Sequence, residues 1–160
     1  MMNEKPKIPT EIFAQWQTIV EILAQVIHVP SAIITRLDMP LIEVLKASRN
    51  TENPYKEGLK VELANHYCEY VITKKEKLRM PDARQSAEWN QAPEIDYGMV
   101  SYLGMPICWP EGEVFGTICV LDSKENHYTE YEKILEQFRS LIESHLAILF
   151  KNQQLEHQHR

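Results

Sequence analysis

The apolar positions of the chain change their spacing several times, and each change marks an element. Ile12, Phe13, Trp16, Ile19, Val20, Leu23 and Val26 recur at gaps of three and four, a single stripe along a helix that Thr10 is placed to cap. Val29-Pro30 ends it, because proline disfavours helical geometry in the residue before it. Two strands are predicted next, Ser31–Asp38 and Leu41–Ser48, on either side of Met39-Pro40. A polar loop follows over Asn50–Gly58. Val61–Lys74 reads as a helix with Leu63, Tyr67, Tyr70 and Val71 on one side, and Leu78–Pro81 as a very short strand. Asp82–Gly98 is polar, aromatic and weakly periodic, the place to expect irregular functional backbone. Ser101–Trp109 and Glu113–Asp122 form the clearest strand pair, flanking the turn Pro110-Glu111-Gly112. Tyr128–Leu155 is an unbroken helical pattern with Thr129 as its cap and Glu130 and Glu132 in its first turn. Hairpin-joined strands with helices outside them predict an α+β fold on a central antiparallel sheet.

Alternation gives each strand two faces. In the last strand one set is Val114, Gly116, Ile118 and Val120, uniformly apolar and suited to packing under helices. The other is Phe115, Thr117, Cys119 and Leu121. In the first strand Ala32, Ile34 and Arg36 oppose Ile33, Thr35 and Leu37. A greasy face with isolated polar atoms, Thr117 and Cys119 beside Thr35, has the texture of a small-molecule pocket. The same residues also suit an ordinary strand, since threonine favours sheets and cysteine packs as a small hydrophobe.

The terminal helix predicts an output. Its 28 residues span about 42 Å, longer than a domain of this size needs. Ile134, Leu141, Ile148 and Leu155 repeat every seven residues beside a second row of Leu135, Ile142 and Leu149. One row packs on the sheet or the first helix, and the other meets a second copy. His145 and Asn152 sit where a polar residue sets the register of such a seam. A monomeric helix burying both rows is the alternative.

The chain holds 160 residues, 44% hydrophobic and 25% charged, which places it among ordinary globular domains. Residues 1–9 read as a tail, 10–150 as one domain, and 151–160 as a helix end or linker. The net charge of −6 argues against a nucleic-acid partner. Cys68, Cys108 and Cys119 have no metal-like spacing and read as reduced thiols, pointing to a cytoplasmic protein. No apolar run reaches the length of a membrane span. Phosphate-loop, zinc-protease and nucleophile-elbow motifs are missing from the sequence.

The run Tyr102-Leu103-Gly104-Met105-Pro106-Ile107-Cys108-Trp109 with Val114-Phe115-Gly116-Thr117-Ile118-Cys119-Val120-Leu121-Asp122 resembles the core hairpin of the GAF domain family. Cys68-Glu69-Tyr70-Val71-Ile72 and Met80-Pro81-Asp82-Ala83 extend the resemblance, which covers roughly Trp16 to Phe150. It is strongest toward GAF sensors attached to bacterial histidine kinases and diguanylate cyclases. The resemblance implies a GAF/PAS-like sheet with the terminal helices on one face and a ligand pocket on the other, roofed by Leu78–Gly98. It implies Asp82, Arg84, Trp89 and Tyr97 from the roof, and Tyr102, Thr117 and Cys119 from the sheet, as ligand contacts. The implied function is a regulatory sensor that binds an unidentified small molecule. It would signal as a homodimer through Ile134, Leu141, His145, Ile148 and Leu155 to a kinase or cyclase effector in cis or in trans.

Within the family, cyclic-nucleotide binders share an Asn-Lys…Phe…Asp-Glu motif, of which Asp122-Ser123-Lys124…Tyr128…Tyr131-Glu132 retains fragments. Bilin-binding photoreceptors place a thiol in a Cys-His context, unlike His66-Tyr67-Cys68. Free methionine-R-sulfoxide reductases, the enzymatic alternative, carry their attacking cysteine before the penultimate strand. Here Ala92–Tyr97 has none, while Cys68 falls near another of that family's cysteine positions and Cys108 and Cys119 lie on the hairpin, close enough in sequence to meet across it. The remaining alternative is an interaction module whose pocket is vestigial.

Overall fold

A computed structural model of the chain describes residues 4–158. Its elements run α1 (Thr10–Ile27), β1 (Ser31–Asp38), β2 (Leu41–Ala47), β3 (Lys60–Glu62), α2 (Tyr67–Lys74), β4 (Leu78–Met80), β5 (Ser101–Cys108), β6 (Val114–Asp122) and α3 (Glu132–Gln158). Two 3-10 turns, Ala83–Gln85 and Pro93–Tyr97, interrupt the segment between β4 and β5. The six strands form one sheet in the order β3-β2-β1-β6-β5-β4, each neighbour antiparallel. This is the α+β arrangement that the pattern predicts.

Each face of the sheet has its own core. On one side α1 and α3 cover Ala32, Ile34, Leu103, Ile107, Ile118 and Val120, with Trp16, Leu23, Leu135 and Ile142 descending from the helices. On the other, α2 and the irregular segments cover Ile33, Ile42, Tyr102, Cys119 and Leu121, with Tyr67 and Val71 descending from α2. The two strands at the centre, β1 and β6, therefore touch both cores.

Several local expectations are corrected. Thr10 is the first residue of α1 and not its cap; the Pro9 carbonyl instead accepts the Ile12 and Phe13 amides, both at 3.1 Å. Val26 is exposed, outside the buried stripe. The expected helix from Val61 begins only at Tyr67, because Lys60–Glu62 pairs with Leu41–Glu43 as an edge strand. Thr129 does not cap α3, which starts at Glu132 after a turn in which the Asn126 side chain accepts the Tyr128 amide at 2.9 Å. In β6, Gly116 pairs with Ile107 and Val114 with Cys108, so Phe115 is an extra residue that breaks the alternation. Phe115 thereby joins the helix-side core against Trp16 and Trp109, and Val114 turns to the opposite side.

The N-terminal segment is packed down. Lys5 Nζ reaches Glu111 and Glu113 at 2.8 and 3.0 Å and lies over the rings of Trp109 and Phe150. At the other end, α3 continues as a largely exposed helix beyond Phe150 to Gln158, within the stretch read as helix end or linker. The last two residues of that stretch, 159–160, lie outside the described residues. No helix among the described residues is long and apolar enough to cross a membrane.

Candidate functional site

The polar atoms singled out on β1 and β6 meet. Thr35 and Thr117 are cross-strand partners whose hydroxyls hydrogen-bond at 2.6 Å, and the Thr117 amide donates to Thr35 Oγ1 at 3.1 Å. The Thr117 hydroxyl also lies 3.7 Å from Cys68 Sγ and 3.9 Å from Cys119 Sγ. Cys68 enters because it is the second residue of α2, whose first turn points at the sheet, and its sulfur is 3.6 Å from the Tyr102 hydroxyl. Tyr102 can fold back over β5 because the position two residues on is Gly104; a Cβ there would collide with the Tyr102 ring. Cys108 does not join. It pairs with Val114 while Cys119 pairs with Gly104, four residues away along β5, so the sulfurs brought together are those of Cys68 and Cys119.

Beside this cluster is a small cavity of about 30 Å³, room for about two waters. Ile33, Ile42, Val44 and Leu121 form its apolar floor, and Tyr55, His66, Glu94 and Tyr97 close it from above. The Pro93–Tyr97 turn delivers the last two: proline starts it and Gly98, at φ 85°, ends it. Tyr97 stacks on Tyr55 with ring centroids 5.2 Å apart and is 40% exposed, the outermost piece of the roof.

Glu94 is the unexpected residue. It is 4% exposed. Its Oε2 accepts the Tyr67 amide at 2.8 Å and sits 3.3 Å from His66 Nδ1, so it serves α2 as an N-cap supplied from another segment. Its Oε1 is buried with no hydrogen-bond partner among the described residues, and so is the Tyr55 hydroxyl. Burial is the largest single influence on His66 and opposes its charging, but the hydrogen bond to Glu94 together with the charges of Glu94, Cys68 and Glu69 outweighs it, and the imidazole pKa is raised. A hydrogen bond from Cys119 pulls the Cys68 thiol down against its burial, while burial pushes Cys119 far up. Burial likewise keeps the hydroxyls of Tyr55 and Tyr102 protonated.

Tyr97, Tyr102 and Cys119, predicted from sequence, line this cavity. Thr117 stands one hydrogen bond behind it, through Thr35. Trp89 packs edge-on against Tyr67 at 5.6 Å and supports that ring from behind. Asp82 and Arg84 satisfy one another: the carboxylate accepts the Arg84 amide at 3.0 Å, and its oxygens take Nε and Nη2 at 2.9 and 2.8 Å. The guanidinium bond holds the Asp82 carboxyl below its usual range. On α3, Leu141, Ile148 and Leu155 are 44%, 59% and 43% exposed, and Ile134 is half-buried. His145 faces inward, where its Nδ1 accepts the Trp16 indole N–H at 3.0 Å.

The GAF domain family model matches residues 14–146. The chain belongs to the GAF domain family. None of the curated proteins compared with this GAF domain matches it. Among solved structures it is similar to the PixJ GAF domain of Thermosynechococcus elongatus in its blue-light-absorbing form. The two share 16% identity at a TM-score of 0.70, covering 93% of this chain and 90% of that one. The GAF domain of an Acinetobacter phosphoenolpyruvate-protein phosphotransferase is 16% identical at a TM-score of 0.67, covering 85% and 82%. A type II free methionine-R-sulfoxide reductase from Thermoplasma acidophilum is 14% identical at 0.69, covering 88% and 96%. At these identities the likeness is one of fold.

Tyr55, His66 and Glu94 are not among the site residues expected from the sequence. The available signal is local: Pro93 and Gly98 bracket a turn in an otherwise irregular stretch and place Glu94 in its first residues.

Proposed function

We propose that this GAF domain is a regulatory sensor whose ligand enters the space between the sheet and the roof formed by Tyr55, His66 and the Pro93–Tyr97 turn. The observation that carries the reading is the buried, unpartnered Oε1 of Glu94 at a cavity whose floor is shared by β2 and the two central strands, β1 and β6. Those two central strands carry Ala32, Ile34, Ile118 and Val120 into the core under α1 and α3 on their other face. A ligand that spreads the roof and sheet therefore acts on a layer that the terminal helices also contact. It changes their packing only if it binds one packing more tightly than the other. The output is a second copy and an effector engaged along α3, where Leu141, Ile148 and Leu155 form an exposed seven-residue row.

Thermal shift against a metabolite library followed by calorimetry tests this. A hit should saturate at one site and lose affinity when Tyr97 or Tyr102 is truncated. Absence of any hit, together with a pull-down partner held through α3 alone, would make the domain an interaction module.

One observation favours a second, enzymatic reading. Cys68 and Cys119 adjoin, and Cys68 is the thiol with the lowered pKa. Attack of Cys68 on a sulfoxide sulfur, loss of its oxygen as water and closure of a Cys68–Cys119 disulfide would reduce free methionine sulfoxide, with an external dithiol restoring the pair. Both thiols are nearly sealed from solvent, at 6% and 0% exposure, which favours the sensor. Turnover lost in Cys68→Ser would establish the enzyme; no turnover by the unaltered chain would dismiss it.

A further inference from the structure

The ligand's chemistry can be read from what the site leaves unsatisfied, an inference that rests on the sensor reading. We propose that the hollow takes a primary or secondary ammonium ion carried on an apolar body, with the ammonium donating to Glu94 Oε1. A carboxylate oxygen is an acceptor only, so the group that completes Glu94 must be a donor. Capping of α2 explains the other half of the side chain, since the Tyr67 amide and His66 both meet Oε2. It leaves Oε1 buried and without a partner among the described residues, a costly condition at a position 4% exposed.

The surroundings select among donors. Tyr55, Tyr97 and Tyr102 line the same cavity, and aromatic faces attract cations. The Tyr55 hydroxyl, also unpartnered among the described residues, can accept one of the remaining N–H bonds. Ile33, Ile42, Val44 and Leu121 offer nothing polar to the rest of the molecule, so its body is apolar. An anionic ligand would bring another acceptor to Oε1 and leave it uncompleted. A quaternary ammonium satisfies the rings but has no N–H for Oε1. The cavity of about 30 Å³ is too small for such a molecule as it stands, and the half-exposed Tyr97 is the part of the roof that must swing out.

Calorimetry on the unaltered chain at neutral pH, with benzylamine and n-hexylamine each set against the alcohol of the same skeleton, tests the inference. Each amine should bind about 10- to 100-fold more tightly than its alcohol, the difference a charge-assisted hydrogen bond makes. Glu94→Gln should abolish that preference and Tyr55→Phe should reduce it. If Glu94→Gln fails to fold because α2 loses its cap, the amine–alcohol comparison on the unaltered chain decides by itself. Alcohols that bind as tightly as the amines would overturn the ammonium inference while leaving a ligand-binding hollow. Binding by neither class would overturn it as well, and the metabolite screen would then judge the sensor reading separately. A preference that survives Glu94→Gln would overturn it too.

Discussion

Gly116 of β6 pairs with Arg36 of β1, and a Cβ there would run into the Thr35 carbonyl oxygen. Backbone cannot move aside as a flexible side chain can, so Gly116→Ala should lower stability by about 1–3 kcal/mol, seen as an earlier urea midpoint. His145 makes a second prediction at this scale. Burial lowers its pKa, and its Nδ1 must stay unprotonated to accept from Trp16. The unfolded chain therefore takes up the proton first, and the stability His145 contributes is lost as pH falls below about 6.5. His66 has the opposite sign: its raised pKa gives stability that fades as pH rises above about 6.5. Urea midpoints between pH 5 and 8 should show a shallower acid limb in His145→Asn and a shallower alkaline limb in His66→Asn. Single residues were the least legible part of the sequence. Asp82 and Arg84 have the composition of a ligand site and spend it on each other, whereas Glu94 has the composition of a solvated turn and is buried. Composition alone does not tell which acid is close to a base.

Elements were far more legible, because long periodic stretches carry many votes. The stripe of α1, the β5–β6 hairpin and the two rows of α3 all stand where alternation or three-and-four spacing puts them. The failures are short or edge features. Lys60–Glu62 has three residues and one apolar side chain, too few to declare a strand, and β3 is held by its pairing with β2. Phe115 is moved by a bulge, which inserts a residue without leaving a periodic trace. The two rows of α3 now separate in the main by burial: Leu135 and Ile142 are sealed in the helix-side core beside Leu146, while Leu141, Ile148 and Leu155 are exposed, and Leu149 and Ile134 are half-buried. Ile142→Ala should therefore cost about 2–5 kcal/mol. The pair Leu141→Glu and Ile148→Glu should alter stability by roughly 0.5 kcal/mol or less each and convert a dimer to a monomer in sedimentation. A protein already monomeric before substitution would remove the dimer from the account.

At the scale of the whole molecule, one sheet separates a helical layer from a roofed hollow, and both layers rest on β1 and β6. The two unlike faces of the strands pointed to that division, and the resemblance to the GAF family implied it. What the order does not contain is how far the hollow is filled, because that depends on where Tyr55 and Tyr97 stack and on which oxygen of Glu94 the α2 cap consumes. Sensing by this domain requires that a ligand open the hollow. Electron density in crystals of protein purified from its own host, with nothing added, tests that most directly. The expected density is a non-protein molecule within hydrogen-bond distance of Glu94 Oε1, with the Tyr97 ring displaced outward. Tyr97 still stacked on Tyr55 over a space holding only water, in protein also refractory to every metabolite tried, would contradict it.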